Sequence, residues 1–221
     1  MKFAGIIFDF DGVLLESEHL GNVQLADYLT RLGHDTTPEY AMAHYMGLNG
    51  TDFTDAIEGD IGEALPADFA ETRAAEKRDA MKDGVDPVIG AVDFVRSLPA
   101  DIPRAIASSS TSEWIRAHLD HLGIRDCFEP MIFSGVEDVE KGKPAPDLYV
   151  HAAAALGLDI VDMVILEDSP VGVKGAVASG AHVIGLCAGR HCATDHDRRL
   201  RDLGVHDTAS DYDEVRRLLG L

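Results

Sequence analysis

Two aspartates two residues apart, Asp9 and Asp11, close the first apolar run of the chain. Three further polar stretches follow in order: Ser108-Ser109-Ser110, Lys141-Gly142-Lys143-Pro144 and Glu167-Asp168-Ser169-Pro170. Brought to one spot, the carboxylates of Asp9, Asp11, Glu167 and Asp168 would repel one another, and desolvation would sharpen the repulsion. Such a cluster needs a cation. The ligands on offer are hard oxygens with no His or Cys among them, which suits Mg²⁺ and disfavours zinc. Mg²⁺ commonly pairs one or two protein carboxylates with waters and a substrate phosphate, so a small phosphorylated substrate follows. Serines just ahead of a helix offer hydroxyls and free backbone N–H groups to an anion. A lysine adds a point charge for phosphate. One carboxylate can attack phosphorus to give an aspartyl-phosphate, and a second can protonate the leaving oxygen and then activate water.

Each piece alone has a plainer explanation. An Asp ending a strand is usually a turn or cap residue, a serine run is usually a helix N-cap, and a lysine is usually solvated. All four stretches at strand ends, in this order, are hard to explain by structure alone.

The elements that would position them follow from the apolar period. Residues 3–8 form a short continuous apolar run, the pattern of a strand buried on both faces. Residues 102–107, 131–133, 161–166 and 182–186 repeat it. Helical spacing fills the intervals at 88–98, 112–122, 146–156 and 171–179, with Gly123, Gly157 and Gly180 as stops. Strand and helix in alternation predict a parallel sheet with helices on both faces, and ligands bind such sheets at the carboxyl ends of the strands.

Residues 15–85 break the rhythm with helical spacing and no buried strand; helices are expected over 18–32, 38–46, 51–58 and 66–82. The fold expected is thus α/β, a Rossmann-like parallel-sheet core of residues 1–14 and 86–221 with an inserted all-helical cap subdomain of residues 15–85. The insert holds 15 acidic and five basic side chains, half of the net charge of the whole chain. Arg73 and Lys77, four residues apart, share a helical face and could meet a second anionic group on a substrate. Pairing of Arg73, Lys77 and Arg78 with Glu76 and neighbouring acids is the plainer reading. Asn49 and Thr51 lie in a Gly-flanked loop and are candidate substrate contacts or turn residues.

The four motifs resemble those of the haloacid-dehalogenase-like hydrolase superfamily, over essentially the full chain. The group most similar is the one with a helical cap after the first strand, which includes beta-phosphoglucomutase-like and phosphoglycolate-phosphatase-like members. The matching segments are Phe8-Asp9-Phe10-Asp11-Gly12-Val13, Ala107-Ser108-Ser109-Ser110, Lys143-Pro144-Ala145-Pro146-Asp147 and Leu166-Glu167-Asp168-Ser169-Pro170-Val171-Gly172. The resemblance implies that Asp9 is nucleophile and metal ligand. Asp11 is implied as general acid and base, its backbone carbonyl also on the metal. Ser108 would hold the phosphoryl group with the N–H of Ser109, and Lys143 would neutralise nucleophile and phosphate. Asp168 would ligate Mg²⁺, and Glu167 would do so directly or through water. A loop residue such as Asn49 would read the substrate.

Departures from the group's pattern sharpen the expectation. Dehalogenases lack the second aspartate, and Asp11 is present. Mutases of the group carry a His and an Arg where this chain has Gly21 and Gly50, which favours transfer to water; Glu16 replaces a usual Asp. Residues 186–191 are similar to sugar-acid and sugar-phosphate phosphatases of the group. The expected activity is a Mg²⁺-dependent phosphatase acting on a sugar phosphate or sugar-acid phosphate. The alternatives are a beta-phosphoglucomutase-like mutase and a non-catalytic binding protein, the latter disfavoured by the intact acidic cluster.

Composition narrows the rest. With 19 basic and 39 acidic residues the formal charge is -20, which repels nucleic acid and anionic membranes. Cys127, Cys187 and Cys192 form no CxxC and no disulfide framework, which fits a reducing compartment. No export signal opens the chain, so the expected location is cytoplasmic. His191, Cys192 and His196 match no common zinc spacing and read as a polar loop. Trp114 reads as core packing beside Ile115 and Leu119. The acidic insert offers no apolar interface, so a monomer is expected.

Overall fold

A computed structural model describes residues 2–48 and 50–221. The chain falls into two compact units, Met1–Glu16 with Asp86–Leu221, and Ser17–Val85. In chain order the elements are β1 (Gly5–Phe8), α1 (Ser17–Arg31), α2 (Pro38–His44), α3 (Gly50–Ile61), α4 (Phe69–Asp83), α5 (Ala91–Ser97), β2 (Arg104–Ser108), α6 (Ser112–Leu122), β3 (Ile132–Ser134), α7 (Asp147–Ala155), β4 (Met163–Glu167), α8 (Pro170–Ser179), β5 (His182–Leu186), α9 (His196–Asp202), β6 (Asp207–Ala209) and α10 (Tyr212–Leu219).

The larger unit is built on one six-stranded sheet of order β3-β2-β1-β4-β5-β6, with every strand parallel to its neighbours. Parallel strands need covered faces, and the side chains of β1 alternate accordingly. Ile7 packs with Leu148, Tyr149 and Ala152 of α7 and Ala176 of α8. Phe8, on the other face, meets Phe128 edge-on at 5.5 Å and Phe94 of α5 at 6.2 Å. Ile6, Ile7 and Phe8 are wholly buried, each contributing about 1.5–3 kcal/mol by area removed from water. This is the Rossmann-like α/β fold that the alternation of elements predicts.

Element ends follow the local chemistry. Thr111 caps α6 by accepting the Trp114 N–H at 3.3 Å, and Gly123 closes it in the left-handed region at φ 64°. Strand β2 starts two residues later than expected: Pro103 has no N–H for the ladder, though its carbonyl accepts the N–H of Ile6 at 3.0 Å. Helices α9 and α10 and strand β6 extend the α/β alternation past β5, beyond the elements that the periodicity picks out.

The smaller unit is all helical. Leu25, Tyr28 and Leu29 of α1 pack with Ala41 of α2, Tyr45, Ile57 of α3 and Phe69 of α4. Tyr28 and Phe69 meet edge-on at 5.2 Å. Thr37 caps α2, whose first residue is Pro38. Tyr45 and Tyr40 both donate to Oδ2 of Asp60, at 2.8 and 2.9 Å.

Candidate active site

Asp9 sits one residue past β1, where its N–H donates to the Leu166 carbonyl at 2.9 Å. The sheet order puts β2 on one side of β1 and β4 on the other. The ends of these strands carry Ser108 and Glu167, with Asp168 next in the chain. The strand ends thus bring together the groups that the sequence disperses over 160 positions.

Asp9, Glu167 and Asp168 are buried, and one oxygen of each lies within 4.8 Å of the others. The Lys143 ammonium reaches both Asp9 Oδ1 at 2.6 Å and Glu167 Oε1 at 2.8 Å, with its side chain only 3% exposed. Burial pushes the Asp9 carboxyl well above the usual carboxylate range, against the pull of Lys143, and Glu167 and Asp168 push it the same way. Burial would lower the Lys143 ammonium, but Asp9 and Glu167 outweigh it and hold the group raised. Lys143 meets two of the three buried carboxylates, and Asp168 lies against the His191 ring instead, so carboxylates outnumber the lysine in a dry place. A divalent cation with a preference for oxygen fits that donor set.

Glu167 is fixed from several sides. The N–H and hydroxyl of Ser169 donate to its Oε2 at 2.8 and 3.1 Å, and the Tyr149 hydroxyl donates to Oε1 at 3.0 Å. A Cβ at position 172 would lie 1.6 Å from Glu167 Oε1, so only glycine leaves room for this carboxylate. Gly12 plays the same part for Asp168: its φ is +79°, and a Cβ there would lie 2.1 Å from Oδ2.

Asp11 stands apart from the three clustered carboxylates. Its Oδ2 accepts the Ser110 hydroxyl at 2.7 Å and the Ser108 hydroxyl at 3.3 Å. Its Oδ1 accepts the Trp114 indole N–H at 3.1 Å. The Ser108 hydroxyl oxygen also accepts the N–H of Ser110, at 3.0 Å. Ser109 is exposed at the mouth of this turn.

Trp114 is buried, as its reading as core packing expects, but its indole N–H also serves Asp11, a role with no local signal, and Ser110 holds Asp11 where the serine run gives it no separate role. The sequence places His191, Cys192 and His196 in a polar loop; the structure instead buries both imidazoles against Asp168, with His196 opening α9. Asn49 lies outside the described residues. In the helical unit, Arg73 pairs with Glu76 and donates to the Gly21 carbonyl at 3.0 Å, and Arg78 pairs with Glu71 at 2.6 Å.

The site thus joins a buried carboxylate beside a lysine, three carboxylates that could hold a metal ion, and a second aspartate among hydroxyls. Residues 6–186 match the haloacid dehalogenase-like hydrolase family, and the chain belongs to that family. It is 30% identical over 190 residues to hexitol phosphatase A of Escherichia coli K12, covering 85% of each chain. It is 31% identical over 188 residues to fructose-1-phosphate phosphatase YqaB of the same organism, covering 83% of this chain and 96% of that one. A crystal structure of a hydrolase of this family from Deinococcus radiodurans R1, with bound phosphate and sodium, is 28% identical. It superposes with a TM-score of 0.89 over 99% of this chain and 96% of that one. Among the described residues, no helix is long and apolar enough to cross a membrane.

Proposed function

We propose that this phosphoric monoester hydrolase is a Mg²⁺-dependent phosphatase that acts on a small sugar phosphate or sugar-acid phosphate through a phospho-Asp9 intermediate. The observation that carries the reading is the bridging of Asp9 and Glu167 by the Lys143 ammonium, at 2.6 and 2.8 Å. It ties the first, third and fourth motifs into one site beside Asp11. The relatives named as sugar phosphatases support the substrate class.

In this reading the Asp9 carboxylate attacks phosphorus, and the bond to the sugar oxygen breaks as Asp11, in its acid form, gives that oxygen a proton. Asp11 then takes a proton from water, which attacks phospho-Asp9, frees inorganic phosphate and restores Asp9. The Ser108 hydroxyl and the Ser109 N–H hold the phosphoryl oxygens, and Lys143 balances the charge on nucleophile and phosphate. Asp9, Glu167, Asp168 and the Asp11 carbonyl would hold the Mg²⁺, which neutralises charge and orients the phosphate when bound. The helical unit, residues 17–85, acts as the cap that excludes water and selects the sugar. Asn49 belongs to that selecting set.

The test is phosphate release from a panel of sugar phosphates, sugar-acid phosphates and phosphoglycolate, with Mg²⁺ and with chelator, beside Asp9→Asn. Mg²⁺-dependent release from one compound class, lost in Asp9→Asn, is the expected result. Formation of an isomeric sugar phosphate instead of free phosphate would establish the mutase alternative. Silence across the panel, with Asp9→Asn leaving the cellular role intact, would establish a binding protein.

A further inference from the structure

Two buried imidazoles have no part in the chemistry above, yet both rest on Asp168. Nε2 of His191 lies 2.8 Å from Asp168 Oδ2, with the two side chains 1% and 3% exposed. His196, the first residue of α9, places its Nε2 2.7 Å from the Asp168 backbone carbonyl. A carbonyl oxygen can only accept, so this nitrogen carries the proton. The two rings meet edge-on at 5.8 Å.

The chain makes deliberate room for this arrangement. A Cβ at Gly189 would lie 2.5 Å from the His191 ring, and one at Gly12 would lie 3.0 Å from it. The loop is pinned where the Arg190 N–H donates to both Glu16 oxygens, at 3.0 and 3.2 Å. Helix α9, beginning at the second imidazole, ties that hold to the sheet through Leu200, which is fully buried.

We infer that His191 and His196 are positioning residues that grip Asp168 by its side chain and its main chain, and so set the affinity of the cation site. The inference rests on the reading that Asp168 is a metal ligand. Groups that hydrogen-bond a ligating residue fix its orientation, and losing one typically weakens metal binding by about 10–100-fold. His191, Cys192 and His196 also have ligand atoms within 4.8 Å of one another, which invites a soft-cation reading. Cys192 Sγ lies 3.5 Å from His191 Nε2, the nitrogen already turned to Asp168, and a Co²⁺ titration separates the two readings.

The experiment is a Mn²⁺ titration of the full chain followed by the electron paramagnetic resonance signal of free Mn²⁺, which needs no turnover. His191→Leu and His191→Asn, the latter polar but too short to reach, are expected to weaken binding about 10–100-fold. His191→Gln keeps an N–H donor and is expected to restore most of the affinity; Cys192→Ser should leave it unchanged. Equal affinity in wild type and in His191→Asn, with only the melting temperature lowered, would reduce His191 to a structural role and overturn the inference. A Co²⁺ charge-transfer band lost in Cys192→Ser would overturn it in favour of a soft-cation site. No saturable Mn²⁺ binding in the wild type would instead sink the metal reading itself.

Discussion

The indole N–H of Trp114 donates to Oδ1 of Asp11 at 3.1 Å, while Ser110 takes Oδ2 at 2.7 Å. The acid of the proposed reaction is therefore oriented by a side chain that also packs in the core, at 6% exposure. Trp114→Phe keeps the packing and removes the donor. A hydrogen bond to a charged group contributes roughly 1.5–3 kcal/mol, so turnover of a sugar phosphate should fall about tenfold or more. The first-turnover burst of p-nitrophenol from p-nitrophenyl phosphate, a step whose leaving group needs no proton, should change far less. A burst slowed as much as sugar-phosphate turnover would remove Asp11 orientation as the role of Trp114.

Lys143 is a second point of leverage. Replacing it with Met leaves Asp9 and Glu167 facing each other, buried and uncompensated. Removing one partner of a buried pair costs about 3–5 kcal/mol. Chemical denaturation should show that loss without metal, with part of it restored by millimolar Mg²⁺, and phosphate release should be abolished.

Gly172→Ala tests the close approach at the N-terminus of α8. Alanine suits a helix interior better than glycine, so propensity alone predicts a slightly stabler protein. The new Cβ would lie 1.6 Å from Glu167 Oε1, so Glu167 must leave its place. Weaker Mg²⁺ activation together with a lower melting temperature is the expected outcome of a thermal melt run across Mg²⁺ concentrations.

The helical unit carries its own acid sensitivity. Hydroxyl donors from Tyr45 and Tyr40 hold the Asp60 carboxyl below its usual value of 3.8. A depressed carboxyl contributes stability that is full above the unfolded value and is lost as pH falls through the folded one. Between pH 7 and pH 3, wild type should lose more stability than Asp60→Asn, as read by circular dichroism melts. The group is exposed, so the difference should be small.

Much of the core was legible because strands buried on both faces leave continuous apolar runs. Residues 182–186 form a strand as read, and α6 spans the expected residues. Strand β6 was not legible: Asp207-Thr208-Ala209 is three residues long, two of them polar, and joins the sheet through β5. Helix α10 follows a cap, Asp211 accepting the Glu214 N–H at 2.7 Å, but its charged face hid the core role of Val215 and Leu219. The motif residues could be named from their order along the chain. Their supports could not, since Trp114 lies 103 positions from Asp11 and His191 23 positions from Asp168, and no local pattern marks such pairs.

Where the chain leaves β1 for the helical unit and where it returns, the two passes are stitched together. Val88 N–H donates to the Leu14 carbonyl at 3.0 Å and Glu16 N–H to the Asp86 carbonyl at 2.9 Å, with an antiparallel bridge between Leu15 and Pro87. Exit and entry are thus neighbours in the larger unit. Residues 17–85 are an excursion that begins and ends at one seam and can be lengthened, shortened or exchanged without re-threading a strand. Under the proposed function, exchanging that excursion would offer the same core chemistry to new molecules.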